Sequence, residues 1–201
     1  NLQSTVWSAS EIDLNWRIEG TLDTDFDGDT EILWRNYSTG ANQVWRLTDG
    51  GQIVSTNVPL TTVTDLNWNM TGTGDFNYDG QRDIVWHHRT TSTGDVAIWL
   101  MSGANIADTA TLTNHVTDLN WQIGGTGDFN KDNKTDILWF NTSTLQNAVW
   151  IMNGTNYLRT DWLPTNTQTN WEMAATGDYN ADGNTDIVWR NNANGANAIW
   201  L

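Results

Sequence analysis

One segment recurs four times along this chain. It reads DTDFDGDTEILW from Asp23, DFNYDGQRDIVW from Asp75, DFNKDNKTDILW from Asp128 and DYNADGNTDIVW from Asp178. Successive starts lie 52, 53 and 50 residues apart, a spacing that belongs to repeat architectures whose units stack to bury a shared core. The same frame surrounds each copy. An Asn-Trp pair comes first, at Asn15-Trp16, Asn67-Trp68, Asn120-Trp121 and Asn170-Trp171. The acidic loop and its Ile-[Leu/Val]-Trp run follow. A Gly/Ser/Asn-rich turn then leads to Val44-Trp45, Ile98-Trp99, Val149-Trp150 or Ile199-Trp200. Twelve of the 14 tryptophans hold these repeated places, and Trp7 and Trp162 are the other two.

The runs Ile84-Val85-Trp86, Ile137-Leu138-Trp139 and Ala148-Val149-Trp150-Ile151 are short, β-branched and aromatic, and turn residues bound them, which reads as strands. Tyr37-Ser38-Thr39-Gly40, Thr91-Ser92-Thr93-Gly94 and Asn153-Gly154-Thr155 are the expected hairpin turns. No window carries a helical period. Strands apolar on both faces, four to each unit of about fifty residues, predict an all-β propeller in which neighbouring blades cover one another. We expect one domain over 1–201, with repeats near 11–60, 61–112, 113–163 and 164–201. The last repeat reaches only its third strand at Ala198-Ile199-Trp200-Leu201, while Ser4-Thr5-Val6-Trp7 aligns with a fourth strand, so residues 3–10 are expected to complete the last blade. Pairing within one chain gives a closed ring of four. Pairing between chains gives a larger ring or a strand-donating filament.

The loops share the pattern D-x-[D/N]-x-D-[G/N]-x-x-[D/E], with side-chain oxygens at positions 1, 3, 5 and 9 and a main-chain carbonyl expected at position 7. Such a set can wrap a hard cation with six to eight oxygens at about 2.3–2.6 Å. The expected ligands are Asp23, Asp25, Asp27, Asp29 and Glu31; Asp75, Asn77, Asp79, Gln81 and Asp83; Asp128, Asn130, Asp132, Lys134 and Asp136; and Asp178, Asn180, Asp182, Asn184 and Asp186. Asp29, Gln81, Lys134 and Asn184 stand at position 7, where a backbone ligand leaves the side chain free to vary. Calcium is favoured, about four ions with one per repeat, because magnesium demands a tight octahedron and zinc prefers Cys and His. An EF-hand would need a bidentate Glu at position 12, where Trp34, Trp86, Trp139 and Trp189 stand. The plain alternative is that Asp, Asn and Gly are turn formers. Four copies in register weigh against it. Thirteen of the 24 acidic residues are side-chain ligands in this reading, and four calcium ions would bring the net charge from −15 to −7.

That acidity also disfavours phosphate-backbone binding, so no nucleic-acid partner is expected. No apolar run nears the ~20 residues of a membrane helix, so no insertion is expected. Cys is absent, which removes disulfides and thiol chemistry.

The segment Gly72-Thr73-Gly74-Asp75-Phe76-Asn77 through Asp83-Ile84, repeated from Gly125 and Thr176, resembles the FG-GAP/VCBS repeat family. The resemblance extends over essentially the whole chain, and the first repeat departs most, with Thr24 for the aromatic residue and Glu31 for the last Asp. It implies a calcium-binding β-propeller of the integrin-like or lectin-like kind, located outside the cell or at its surface. Expected partners are a glycan or a surface or matrix protein, with no catalysis. The twelve repeated tryptophans are expected in blade packing. Trp7 and Trp162, whose counterparts by counting are Pro59 and Leu112, are the candidate ligand contacts. The alternative is an assembly subunit joined through its N-terminal strand. His87, His88 and His115 form no catalytic pattern, and His87-His88 reads as variation at a strand end.

Overall fold

The computed structural model describes residues 12–48, 52–90, 93–166 and 169–201. They form four antiparallel sheets arranged as the blades of a propeller. The first blade holds β1 (Trp16–Leu22), β2 (Glu31–Asn36), β3 (Asn42–Leu47) and β4 (Ile53–Leu60). The second holds β5 (Trp68–Gly74), β6 (Asp83–His88), β7 (Val96–Ser102) and β8 (Asn105–Thr111). In the third are β9 (Trp121–Gly127), β10 (Asp136–Asn141), β11 (Asn147–Asn153) and β12 (Asn156–Leu163). The fourth contains β13 (Trp171–Gly177), β14 (Asp186–Asn191) and β15 (Asn197–Trp200), three strands among the described residues. Residues 3–10, including Trp7, lie outside those described.

Strand alternation explains why both faces of each blade are apolar. Ile84 and Trp86 point back to Leu33 and Val44 of the first blade, and Val85 and Ile98 point forward to Ile137 and Trp139 of the third. Leu138 and Val149 in turn meet Ile187 and Trp189 of the fourth. Two of the three repeated tryptophans of each blade meet as a tilted pair, at 4.6 Å for Trp34–Trp45, 4.7 Å for Trp86–Trp99, and 4.8 Å for Trp139–Trp150 and Trp189–Trp200. Such pairs add about 0.5–1.5 kcal/mol beyond their burial.

The innermost strands β1, β5, β9 and β13 surround a shared axial cavity of about 700 Å³. The Gly-Thr-Gly segments of β5 and β9 let blades approach closely. A Cβ on Gly125 would stand 2.7 Å from Thr176 Cγ2, and one on Gly74 would stand 2.5 Å from Thr135 Cγ2. The threonines then bond across: Thr126 Oγ1 donates to the Thr73 carbonyl at 2.6 Å and Thr176 Oγ1 to the Thr126 carbonyl at 3.0 Å. Each inner strand also carries a bulge at the same place, where Glu19, Thr71, Gly124 and Ala174 are the extra residues.

Strand register corrects one equivalence. Trp162 pairs with Ala148 as Thr111 pairs with Ala97 and Pro59 with Gln43, so the second-blade counterpart of Trp162 is Thr111. Leu112 instead matches Leu60 and Leu163, because the link from Leu112 to Trp121 is one residue longer than its equivalents. Counting back from the Asn-Trp pair slips by that residue.

Candidate metal loops and the grooves beside them

Each acidic loop joins an inner strand to the second strand of its blade, and three hydrogen bonds recur in all four copies. The position-6 amide donates to the position-1 carboxylate: Gly28 to Asp23 at 3.2 Å, Gly80 to Asp75 at 2.9 Å, Asn133 to Asp128 at 2.7 Å and Gly183 to Asp178 at 2.9 Å. The amides of Asp29, Gln81, Lys134 and Asn184 donate to Asp27, Asp79, Asp132 and Asp182 at 2.8–3.0 Å. Position 9 accepts from position 2, with Thr24 to Glu31 at 2.6 Å, Phe76 to Asp83 at 2.7 Å, Phe129 to Asp136 at 3.2 Å and Tyr179 to Asp186 at 2.9 Å.

Two corners of every loop are left-handed. Position 6 has φ of 87°, 86°, 61° and 85° at Gly28, Gly80, Asn133 and Gly183, so Asn133 keeps the geometry that glycine supplies elsewhere. Position 4 has φ of 63°, 65°, 64° and 59° at Phe26, Tyr78, Lys131 and Ala181. Those four residue types carry no shared signal for that conformation, and sequence reasoning missed it.

Position 9 is the buried member of the set: Glu31, Asp83 and Asp136 are fully buried and Asp186 nearly so. Asp83 and Asp136 each accept a second amide, from Met101 and Met152 at 2.9 Å, tying the loop to the third strand. Burial pushes both carboxyls up to about 6. The equivalent second oxygen of Glu31, Oε1, is buried and has no hydrogen-bond partner. Asp23, Asp25, Asp27 and Glu31 bring their carboxylate oxygens within 4.8 Å of one another, the single acid cluster of this kind among the described residues. A partnerless buried carboxylate oxygen beside three more carboxylates fits a divalent cation, which would satisfy all four at once. The other loops substitute an amide at position 3, through Asn77, Asn130 and Asn180.

Two loops carry a basic neighbour. Arg46 Nε lies 3.3 Å from Asp25 and Lys134 Nζ 3.9 Å from Asp132. Position-7 side chains also reach outward: Gln81 Oε1 accepts from the Gly103 amide at 2.9 Å and Lys134 donates to Asn153 at 2.9 Å. The loops are linked around the rim as well. Thr135 Oγ1 donates to the Asp75 carbonyl at 2.9 Å and the Thr185 amide to the Asp128 carbonyl at 3.0 Å. Position 8 of one blade therefore holds position 1 of the blade before it.

The strand-end histidines separate. His88 pairs with Asp65 at 2.9 Å and with Thr93 at 2.7 Å, a place that Asn36 and Asn141 fill in blades one and three through Asp13 and Asp118. His87 is buried, and burial first, with Arg89 nearby, lowers it to about 4. Sequence reading took both as one variation.

Trp162 is 63 % exposed, and its ring centroid lies 6.0 Å from that of Trp121. The two indoles line a groove of about 340 Å³ with His115, Thr117, Asp118 and Thr160. Trp121 thus departs from pure packing, which the repeat pattern alone did not distinguish.

Residues 128–189, from the third loop through the Trp189 strand, match the family model described as an FG-GAP-like repeat. No curated protein matches the chain.

Proposed function

We propose that this FG-GAP-like repeat propeller is an extracellular, calcium-dependent recognition module that binds a glycan and catalyses no reaction. The observation that carries the reading is the Trp162–Trp121 groove. An exposed indole face with a polar rim is the combination that stacks a sugar ring and hydrogen-bonds its hydroxyls. Asp118 and Thr160 supply the rim, and His115 is held by Asp95 at 2.7 Å. Calcium would sit on the four loops, with Asp23, Asp25, Asp27 and Glu31 as the fully acidic set. When bound it supplies charge neutralisation, and the loop residues supply its oxygens. Such sites fill where calcium is abundant, which favours a location outside the cell.

A glycan array with and without chelator tests this directly. The reading expects calcium-dependent binding that Trp162→Ala removes. Absence of binding to any glycan by the calcium-loaded protein overturns it. The second reading, an assembly subunit joined through its N-terminal strand, draws on the fourth blade, which holds three strands among the described residues. Concentration-dependent polymer in size-exclusion chromatography, without glycan binding, would favour it.

A further inference from the structure

The positions at which the repeat breaks converge on one place. Glu19 occupies the inner-strand bulge where the other blades have Thr71, Gly124 and Ala174. Tyr37 and Arg89 stand where Thr142 and Asn192 do, and His87 where Arg35, Phe140 and Arg190 do. Arg17, Glu19, Tyr37, Asn69, His87 and Arg89 line a single cavity of about 440 Å³ against β9. It lies toward the start of the inner strands, away from the acidic loops, and shares no lining residue with the Trp162 groove.

Its lining has two chemical halves. Arg17 and Arg89, with Arg35 beneath them, make three of the nine basic residues of a chain of net charge −15. No carboxylate comes within salt-bridge distance of any of the three among the described residues. Arg35 is fully buried, donates to Gly40, Asn42 and Val63, keeps Nε without a partner and does not line the cavity, so what it contributes there is field. Two guanidiniums lie near the Tyr37 ring, that of Arg17 at 5.6 Å and that of Arg35 at 5.2 Å from its centroid. Arg89 spends one nitrogen on the Leu119 carbonyl at 2.9 Å, and the rest of its fork is available.

The other half accepts hydrogen bonds. His87 is 1 % exposed, and its Nε2 has no partner. The second ring nitrogen bonds to the Val116 main chain, so Nε2 presents a bare lone pair. Leaving such an atom unsatisfied is costly, and a ligand hydroxyl donating to it would recover that cost. Glu19 is bonded by the Tyr37 hydroxyl, and burial pushes its carboxyl up to about 7.

An inorganic anion uses donors alone and would meet Glu19. A neutral sugar leaves the guanidiniums unmatched. We propose that this cavity binds a small polyhydroxylated carboxylate of the sugar-acid class, its carboxylate on Arg17 and Arg89 and its hydroxyls on His87 Nε2, Glu19 and Asn69. The site is independent of the glycan groove, and either can fail without the other.

Calorimetric titration of the calcium-loaded chain with glucuronate, glucose, acetate and phosphate tests it. Saturable glucuronate binding is expected, with glucose, acetate and phosphate each at least about tenfold weaker. Arg89→Gln and His87→Phe are each expected to weaken glucuronate about tenfold. Arg17 is exposed, so Arg17→Gln, whose fold is checked by circular dichroism, is the control against misfolding and is expected to weaken glucuronate likewise. No saturable glucuronate binding, equal binding of acetate or phosphate, or full affinity retained in Arg17→Gln and Arg89→Gln would each overturn the proposal.

Discussion

At the loop end of the propeller, Gly28, Gly80, Asn133 and Gly183 turn the same left-handed corner, and the same three hydrogen bonds hold each copy. Toward the opposite end, Glu19, Thr71, Gly124 and Ala174 share a bulge and no side-chain chemistry. The contrast separates two demands on one fifty-residue unit. The loops also link neighbouring blades, through Thr135 to Asp75 and Thr185 to Asp128, so a change in one loop is felt by the next. At the far end the recurring bonds run instead from a blade to the linker that follows it, Val63 to Gly40, Val116 to Gly94 and Asn166 to Leu145, and there blades one and two have gathered groups that the other blades lack.

The largest effect that would sharpen this contrast is at position 9. Asp136 accepts from Phe129 and Met152, and Asp136→Ala orphans both amides, the Met152 one fully buried, costing about 2–5 kcal/mol. Asp186 accepts from Tyr179 and leaves Oδ1 without a partner, so Asp186→Ala should cost about half as much in urea denaturation. Equal losses would contradict the difference between the two loops.

Next comes a pH effect confined to the other end. His87 titrates near 6.5 when unfolded and at about 4 when folded. The unfolded chain therefore binds the extra proton first, and stability falls as pH drops from about 6.5 toward 4, by on the order of 3 kcal/mol. Asp83 and Asp136, raised to about 6, work in the opposite direction in calcium-free protein, gaining stability as pH falls. The difference between the native chain and His87→Phe, the residue type that Phe140 supplies in blade three, isolates the histidine. Parallel pH–stability curves for the two would break the assignment.

A smaller loss is expected between the ends. Thr126→Val removes the 2.6 Å bond to Thr73 while keeping the shape, at a cost of about 1 kcal/mol. Thr21→Val is the comparison, since no cross-blade bond from Thr21 is present among the described residues, and its melting temperature should hold.

Much of the architecture was legible because each unit repeats its apolar and acidic positions. Ile84, Val85 and Trp86 announced a two-faced strand, and the loop spacing marked where acidic side chains gather, as Asp23, Asp25, Asp27 and Glu31 do. The Gly-Thr-Gly segments were visible as a motif, yet their role in close blade approach needed the three-dimensional neighbour, Thr176 against Gly125 for example. The left-handed Phe26 and Tyr78 are set by loop closure rather than by residue preference. Glu19, Tyr37, His87 and Arg89 are scattered over seventy residues of sequence and meet only through blade packing, so no local pattern could gather them. Departure from the repeat is the available signal, and at His87 alone the sequence reads it as strand-end variation.

Calcium dependence of melting tests the central claim most directly, namely that the acidic loops hold ions which clamp the blades together. Scanning calorimetry in millimolar calcium and after exhaustive chelation should show the calcium form melting higher by about 5 °C or more, since one site at a hundredfold excess over Kd adds about 2.7 kcal/mol. Asp75→Ala with Asp79→Ala should remove part of that gain. The same melting temperature in calcium and in chelator would contradict the account.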